Sequence, residues 1–502
     1  MPDETATKTA GSGDKTDKTS AATAETKPAP PVDDLVTTSH RLRVGRQVLK
    51  YTARAGRIVL REEVIEADEF KGLRPKAEVF VTAYTLDDAT PETRPVTFCF
   101  NGGPGSSSVW LHLGVLGPRR VLMGDAGELL PPPYGLADNP QTLLRYSDLV
   151  FIDPVSTGYS RPVEGGKPKD FHGYSGDLKT VGEVIRLWTT RNNRWMSPKF
   201  LAGESYGTLR AAALAEHLQN RYGMYLNGIA LISAVLDMGT IRFTEGNDTP
   251  HALFLPTYAA IANYHGLHGS RPLSDVLAEA EEFAERTYPW ALARGARLTS
   301  EERADVVATL ARLTGLTEEY LDRVDLRIEH VRFYTELLRS RGLTVGRLDG
   351  RFTGWDRDGG AERYEQDPSY WAIHGPYAAA FNHYVRTDLG YSNDLPYEIL
   401  TDRVHPWSYS EFEGRGVSVT DKLSTAMRAN PHLRVHVACG YYDGATPYSA
   451  AEYTLARLQI PEELRDNIDV AYYESGHMMY VHEESRVQQS RDLAAWIAGA
   501  IG

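Results

Sequence analysis

Cysteine is nearly missing from this chain of 502 residues: Cys99 and Cys439 cannot build a disulfide framework. Long apolar runs are missing too, and no stretch reaches the ~18 uninterrupted apolar residues of a membrane-spanning helix. There is no surplus of positive charge. With 54 Lys+Arg against 67 Asp+Glu the net charge is −13, which disfavours binding a nucleic-acid backbone through bulk charge. The N-terminus lacks the basic start and apolar stretch of about 7–15 residues that make a signal peptide, which points to a cytoplasmic protein. Repeats with a period of ~20–50 residues are also absent, as are HExxH and CxxC patterns. Membrane-spanning, histone-like and disulfide-scaffold readings are thereby set aside. What is there, 42% hydrophobic and 24% charged residues, is the composition of a large soluble body with a sizeable core.

Residues 1–38 are mostly Thr, Ala, Lys, Asp and Pro, too poor in large apolar side chains to offset the entropy of ordering, and are expected to form a polar, disordered tail. Extended patterning follows. VFVTAYTL (79–86) alternates, while VTFCFN (96–101), DLVFID (148–153) and GIALISAV (228–235) resemble strands buried on both faces. A helix is predicted over 208–222. Strands alternating with helices over 39–235 argue for an α/β fold with a mainly parallel central sheet. Over 236–424 helical patterning dominates. A Ser274 cap, a Thr299–Glu302 capping box and stops at Gly315 and Gly342 mark the helices expected there. This segment is read as a large helical insertion, or lid, in the sheet domain; the alternative is an independent helical domain. Strand patterning returns over 425–502, in LRVHVACGYYDG and NIDVAYYESGHMMYVH, before a closing helix.

Gly203-Glu204-Ser205-Tyr206-Gly207 is a G-x-S-x-G match. Chance yields roughly 0.1–0.2 such matches in a chain this long, so the motif alone is weak. Its setting, after a buried strand and before a helix, is that of a nucleophile elbow. A serine hydroxyl needs a base and an orienting carboxylate. Asp443 and His477 each follow a later predicted strand, and the order Ser205, Asp443, His477 is that of α/β-hydrolases. Asn101-Gly102-Gly103-Pro104-Gly105 follows another buried strand, where a glycine-rich loop can bring backbone N–H groups to an oxyanion. His432 and His436, the candidates for a metal site, would sit ~13 Å apart on a strand, and no metal or cofactor is called for.

Together FNGGPGSSS, FIDPVSTGYS, AGESYG, GYYDGATP and ESGHMMY resemble the serine carboxypeptidases of the α/β-hydrolase fold. The bacterial branch is the nearest, because DPSYWAIHGPYAAAFNHYV and VHPWSYSE are also similar to it. The resemblance runs from about residue 40 to the end. It implies a nucleophile at Ser205, a base at His477, a carboxylate at Asp443, and an oxyanion hole from the Gly103 and Tyr206 amides. It also implies that Asn101, the Gly102 N–H and Glu204 grip the C-terminal carboxylate of a peptide substrate. Glu204 can donate to that carboxylate only when protonated.

The chain departs from the family pattern at three places. Many eukaryotic members pair the glutamate with a second one, and the matching position is Val115, so acid preference is expected to be weaker here. A family cysteine after NGGPG is Ser106, in keeping with a reducing compartment. The usual GHMVP is Gly476-His477-Met478-Met479-Tyr480, which changes the wall beside the base. Cys99 and Cys439 are expected to be small buried hydrophobes. An acyltransferase or esterase on the same scaffold is the alternative function, with a non-catalytic binding protein and an endopeptidase further behind. The side-chain preference and oligomeric state are left open.

Overall fold

The computed structural model describes residues 30–501. Most of the expected tail, residues 1–29, lies outside them. The last part of 1–38 is not tail: Asp34–Val44 forms the first strand, β1, in antiparallel register with β2 (Gln47–Glu66). The boundary fell too late because exposed polar residues alternate along this edge strand and only its end, at Leu42 and Val44, is buried. The hairpin continues into β3 (Glu69–Leu86).

The apolar runs become the short buried strands β4 (Val96–Phe100), β5 (Asp148–Ile152), β6 (Lys199–Glu204), β7 (Gly228–Ile232), β8 (Arg434–Gly440) and β9 (Ile468–Tyr473). They stand in the order β1-β2-β3-β5-β4-β6-β7-β8-β9, with Arg161–Pro162 pairing on β3. From β5 to β9 every pairing is parallel. Phe98 and Phe100 face one apolar cluster and Cys99 the other, as period-two alternation in a doubly covered sheet requires. Helices α1 (Tyr174–Arg191) and α2 (Tyr206–Tyr222) cover the first face. Both cysteines are buried and unbridged, Cys99 on β4 and Cys439 on β8. This is the expected α/β-hydrolase arrangement.

Between β7 and β8 the chain is mostly helical, including α3 (Thr249–Tyr264), α4 (Ser300–Thr314) and α5 (Pro368–Thr387). Phe254, Leu255 and Tyr258 of α3 belong to the same apolar cluster as α1 and α2. The Thr299–Glu302 capping box and the left-handed Gly315 bound α4 as the pattern predicts. Ser274 is no cap: the helix Leu273–Glu282 starts after Pro272, whose fixed φ suits a helix entry. The helix expected to stop at Gly342 is broken into His330–Glu336 and a 3-10 turn, Arg339–Arg341, before that left-handed glycine. The closing helix α6 (Glu483–Ile501) packs Leu493 and Ile497 on the second face. No helix among the described residues is long and apolar enough to cross a membrane.

One buried ion pair ties the first helical layer to the loop after β4. Arg210 on α2 donates to Asp177 of α1 through Nε at 2.7 Å and Nη2 at 3.1 Å, and its Nη1 donates to the Asn101 carbonyl at 2.7 Å. Removing one partner of such a pair leaves an uncompensated charge in the core. Arg210→Met is therefore expected to lower unfolding stability by about 3–5 kcal/mol, read from urea denaturation.

Candidate active site

Ser205 sits in the turn from β6 into α2 with φ 59° and ψ −128°, a conformation that costs a non-glycine residue energy. Its backbone N–H donates to the Ile232 carbonyl at 2.9 Å, which anchors the turn to β7. The loop after β4 closes on this elbow. A Cβ at position 102 would collide with the Tyr206 backbone nitrogen, so only glycine permits the approach, and Gly103 holds φ +100°. The Tyr206 N–H is at the first turn of α2, where amides have no intrahelical partner. Asp153, at the end of β5, accepts both the Ser108 N–H (2.8 Å) and hydroxyl (2.7 Å) and so braces the same loop.

Asn101, Gly102, Gly103, Glu204, Ser205, Tyr206 and His477 line one cleft of about 390 Å³, and Asp443 is fully buried behind His477. The Asp443 Oδ2 atom accepts from His477 Nδ1 at 2.8 Å, leaving the other ring nitrogen as the free one. Ala445 N–H, Thr446 N–H and the Thr446 hydroxyl also donate to Asp443, at 2.8, 2.9 and 2.8 Å. Burial opposes a charged imidazole, but the Asp443 carboxylate outweighs it and lifts the His477 pKa above its ordinary value. Ser205 and His477 share the cleft without a hydrogen bond between them among the described residues; such bonds commonly tighten only when substrate is bound.

Glu204 is buried and its two oxygens have separate partners. Asn101 Nδ2 donates to Oε1 at 2.8 Å, and Tyr480 Oη donates to Oε2 at 2.6 Å. The Leu111 N–H donates to Asn101 Oδ1 at 3.2 Å, which fixes the amide with its NH₂ towards Glu204. Burial pushes the Glu204 pKa up to about 7, against the pull of His477, Tyr480 and Asn101. Val115 is buried and apolar, as expected for the missing second acid. Tyr480 was not foreseen in this role. Its ring lies against Gly114, where a Cβ would strike it, and the departure from GHMVP was the available signal. His432 and His436 do not meet: His432 is exposed, while His436 bonds Asp469 Oδ2 at 2.7 Å across β8 and β9.

Residues 78–486 match the serine carboxypeptidase family, peptidase family S10. The chain belongs to that family. Similar curated proteins include serine carboxypeptidase-like 16 of Arabidopsis thaliana, 26% identical over 178 residues, which are 32% of this chain and 39% of the relative. Serine carboxypeptidase-like 44 of the same plant is 29% identical over 164 residues, covering 30% and 31%. The chain thus matches under two-fifths of the length of either. Among solved structures, a proline iminopeptidase of Mycobacterium smegmatis has 12% identity and a TM-score of 0.33, covering 92% of this chain and 99% of that one. The peroxisomal alpha-beta-hydrolase Lpx1 of Saccharomyces cerevisiae has 11% identity and a TM-score of 0.34, covering 93% and 90%.

In this family member the histidine loop is held by a segment that the sequence reading did not single out. Leu348 O accepts the His477 N–H at 2.6 Å, and the Gly350 N–H donates to Tyr442 O at 3.0 Å. Between them Asp349 and Arg351 form a buried pair, with Nε–Oδ1 at 2.9 Å and Nη2–Oδ2 at 2.7 Å. Asp349 Oδ2 accepts the Gly476 N–H at 3.2 Å, while Arg351 donates to Glu474 O (2.8 Å) and Ser475 Oγ (3.1 Å). Arg351→Met is expected to cost about 3–5 kcal/mol in denaturant stability, because Asp349 stays buried without its cation. Because Leu348 O holds the His477 N–H, the folded variant is also expected to lose kcat with little change in KM in steady-state kinetics, and Arg351→Lys to recover part of it.

Proposed function

We propose that the protein is a serine carboxypeptidase that hydrolyses the last peptide bond of substrates with a free C-terminus through an acyl-enzyme. The observation that carries this reading is a buried glutamate, with its pKa pushed up to about 7, in the same cleft as a strained serine and an aspartate-bound histidine. A neutral Glu204 can donate its O–H to an incoming carboxylate, and Asn101 and the Gly102 N–H supply further donors. Once that carboxylate is anchored, the adjacent peptide carbonyl falls at Ser205.

In the mechanism we infer, His477 takes the Ser205 proton as the hydroxyl attacks. The Gly103 and Tyr206 amides stabilise the oxyanion, each worth about 3–4 kcal/mol in comparable sites. Protonated His477 then gives its proton to the leaving amine, and water, activated by the same imidazole, frees the acyl group. Asp443 keeps the Nδ1–H tautomer and stabilises the imidazolium; losing such a carboxylate costs about 10⁴ in turnover.

Ser205→Ala is expected to lower kcat by roughly 10⁶-fold on a blocked dipeptide. A matched peptide with an amidated C-terminus should not be cut, and cleavage of it would replace the exopeptidase reading by an endopeptidase one. Faster transfer of the acyl group from a matched ester to an added alcohol than to water would favour the acyltransferase alternative. The pH profile has a stated direction. Only protonated Glu204 accepts the substrate anion, so KM should rise about tenfold for each pH unit above about 7. Acylation needs neutral His477, so kcat/KM should also fall on the acid side. Glu204→Gln, which cannot ionise, should remove the alkaline rise in KM and leave the acid limb in place.

A further inference from the structure

The charged groups of the cleft are sorted by side. In the sheet order β4-β6-β7-β8-β9, the Asn101–Glu204 grip lies at the ends of β4 and β6, on one flank of Ser205. The residues directly following β7 and β8 lie on the other. The first flank is walled by Trp110, Tyr370, Ile373, Leu400 and Met478, and carries the exposed carboxylate Asp402, whose charge acts on Tyr370. The second flank holds Val235, Met238, Ile241 and Arg242 after β7 and Ala445 and Thr446 after β8, and a second guanidinium group, Arg347, lines the same cleft beside His477.

Arg242 is exposed and stands over the Tyr409 ring at 5.1 Å. Arg347 is half-buried, directly before Leu348, whose carbonyl holds the His477 N–H; its charge works against the imidazolium. Asp367 accepts the Arg347 backbone N–H at 3.1 Å, and its Oδ1 also accepts the Ser369 N–H and hydroxyl where it caps α5. Among the described residues neither Arg242 nor Arg347 has a carboxylate within ion-pair distance, whereas the buried Arg194, Arg210 and Arg351 each do. Of the carboxylates lining the cleft itself, Glu204 is taken up by Asn101 and Tyr480, and Asp402 is exposed and acts on Tyr370. Each guanidinium has a tyrosine hydroxyl beside it, Tyr409 for Arg242 and Tyr364 for Arg347, and no paired carboxylate; planar forks of this kind suit an incoming one.

We propose that this flank binds an acidic side chain, so that the protein prefers substrates with Glu or Asp on the N-terminal, acyl side of the bond it cuts. That it lies on the acyl side rests on the carboxypeptidase reading; that the cleft holds a carboxylate-selective subsite does not. A carboxylate beside Arg347 also screens the guanidinium charge from His477. The imidazolium formed in acylation is then less opposed, and the preference extends to kcat as well as KM.

N-blocked glutamyl, glutaminyl and lysyl 4-nitrophenyl esters test the flank without any need for a C-terminal carboxylate. At low salt kcat/KM for the glutamyl ester should exceed that of the glutaminyl one by about tenfold, with the lysyl ester lowest. The ratio should shrink at high salt. It should approach one in the Arg242→Gln, Arg347→Met double variant, while Arg347→Lys keeps part of it. Because the ratio is internal to each preparation, partial loss of folded protein does not alter it. Equal rates for the glutamyl and glutaminyl esters, or a ratio unchanged in the double variant, would overturn the proposal. Blocked Glu-Leu and Gln-Leu dipeptides separate the two readings: no leucine release from either, with the ester preference intact, would sink the carboxypeptidase reading and leave the subsite standing.

Discussion

The turn at Ser205 is the constraint from which the site is built. A serine at φ 59° costs about 1–3 kcal/mol, and that conformation persists only where the surroundings over-determine it. They do so from three sides. Parallel register sets Glu204 beside Ile232, whose carbonyl holds the Ser205 amide. A side chain on Gly203 would run into the Gly207 carbonyl, and one on Gly102 into the Tyr206 amide. The small residues Ala211, Ala212 and Ala213 let α2 lie close to the sheet below. The elbow thus fixes serine, acid and amide together, and the other loops adjust to it.

The long segment between β7 and β8 is part of this construction. It supplies Leu348, Asp349 and Arg351 to the histidine loop, and residues 399–401 zip onto the loop after β4 through Ser107 N–H to Ile399 O (2.9 Å) and Thr401 N–H to Gly105 O (3.0 Å). A buried ion pair is a weak source of net stability, because desolvating both charges is costly. What Asp349 and Arg351 contribute is direction: five hydrogen bonds of defined geometry between themselves and to a loop that has no regular structure of its own.

Much of this was legible because the chemistry is local in the chain. Uninterrupted apolar runs gave β4, β5 and β7, and Thr299, Glu302 and Gly315 marked the ends of α4. The eight candidate site residues, drawn from motifs at strand ends, do come to one place. What escaped was non-local. Tyr480 meets Glu204 across 276 positions, and Arg351 meets Glu474 across 123. No periodicity encodes such pairings. Asp34–Thr38 escaped for a different reason: an edge strand with polar outward residues has the composition of a tail until its partner strand is known.

The acid and the imidazole of the cleft are coupled through their protons. Glu204 and His477 each feel the other's charge, and the mechanism proposed above calls for a proton on the acid and none on the imidazole. Moving that single proton across gives an isomer of identical net charge that, in the proposed mechanism, can neither seat the anion nor deprotonate the serine. Solution pH sets how many protons the two groups hold jointly, but not where a lone one resides. That internal allocation belongs to Tyr480, Asn101 and Asp443. Substitutions at these positions would change the height of the activity maximum even where its location on the pH axis stays put.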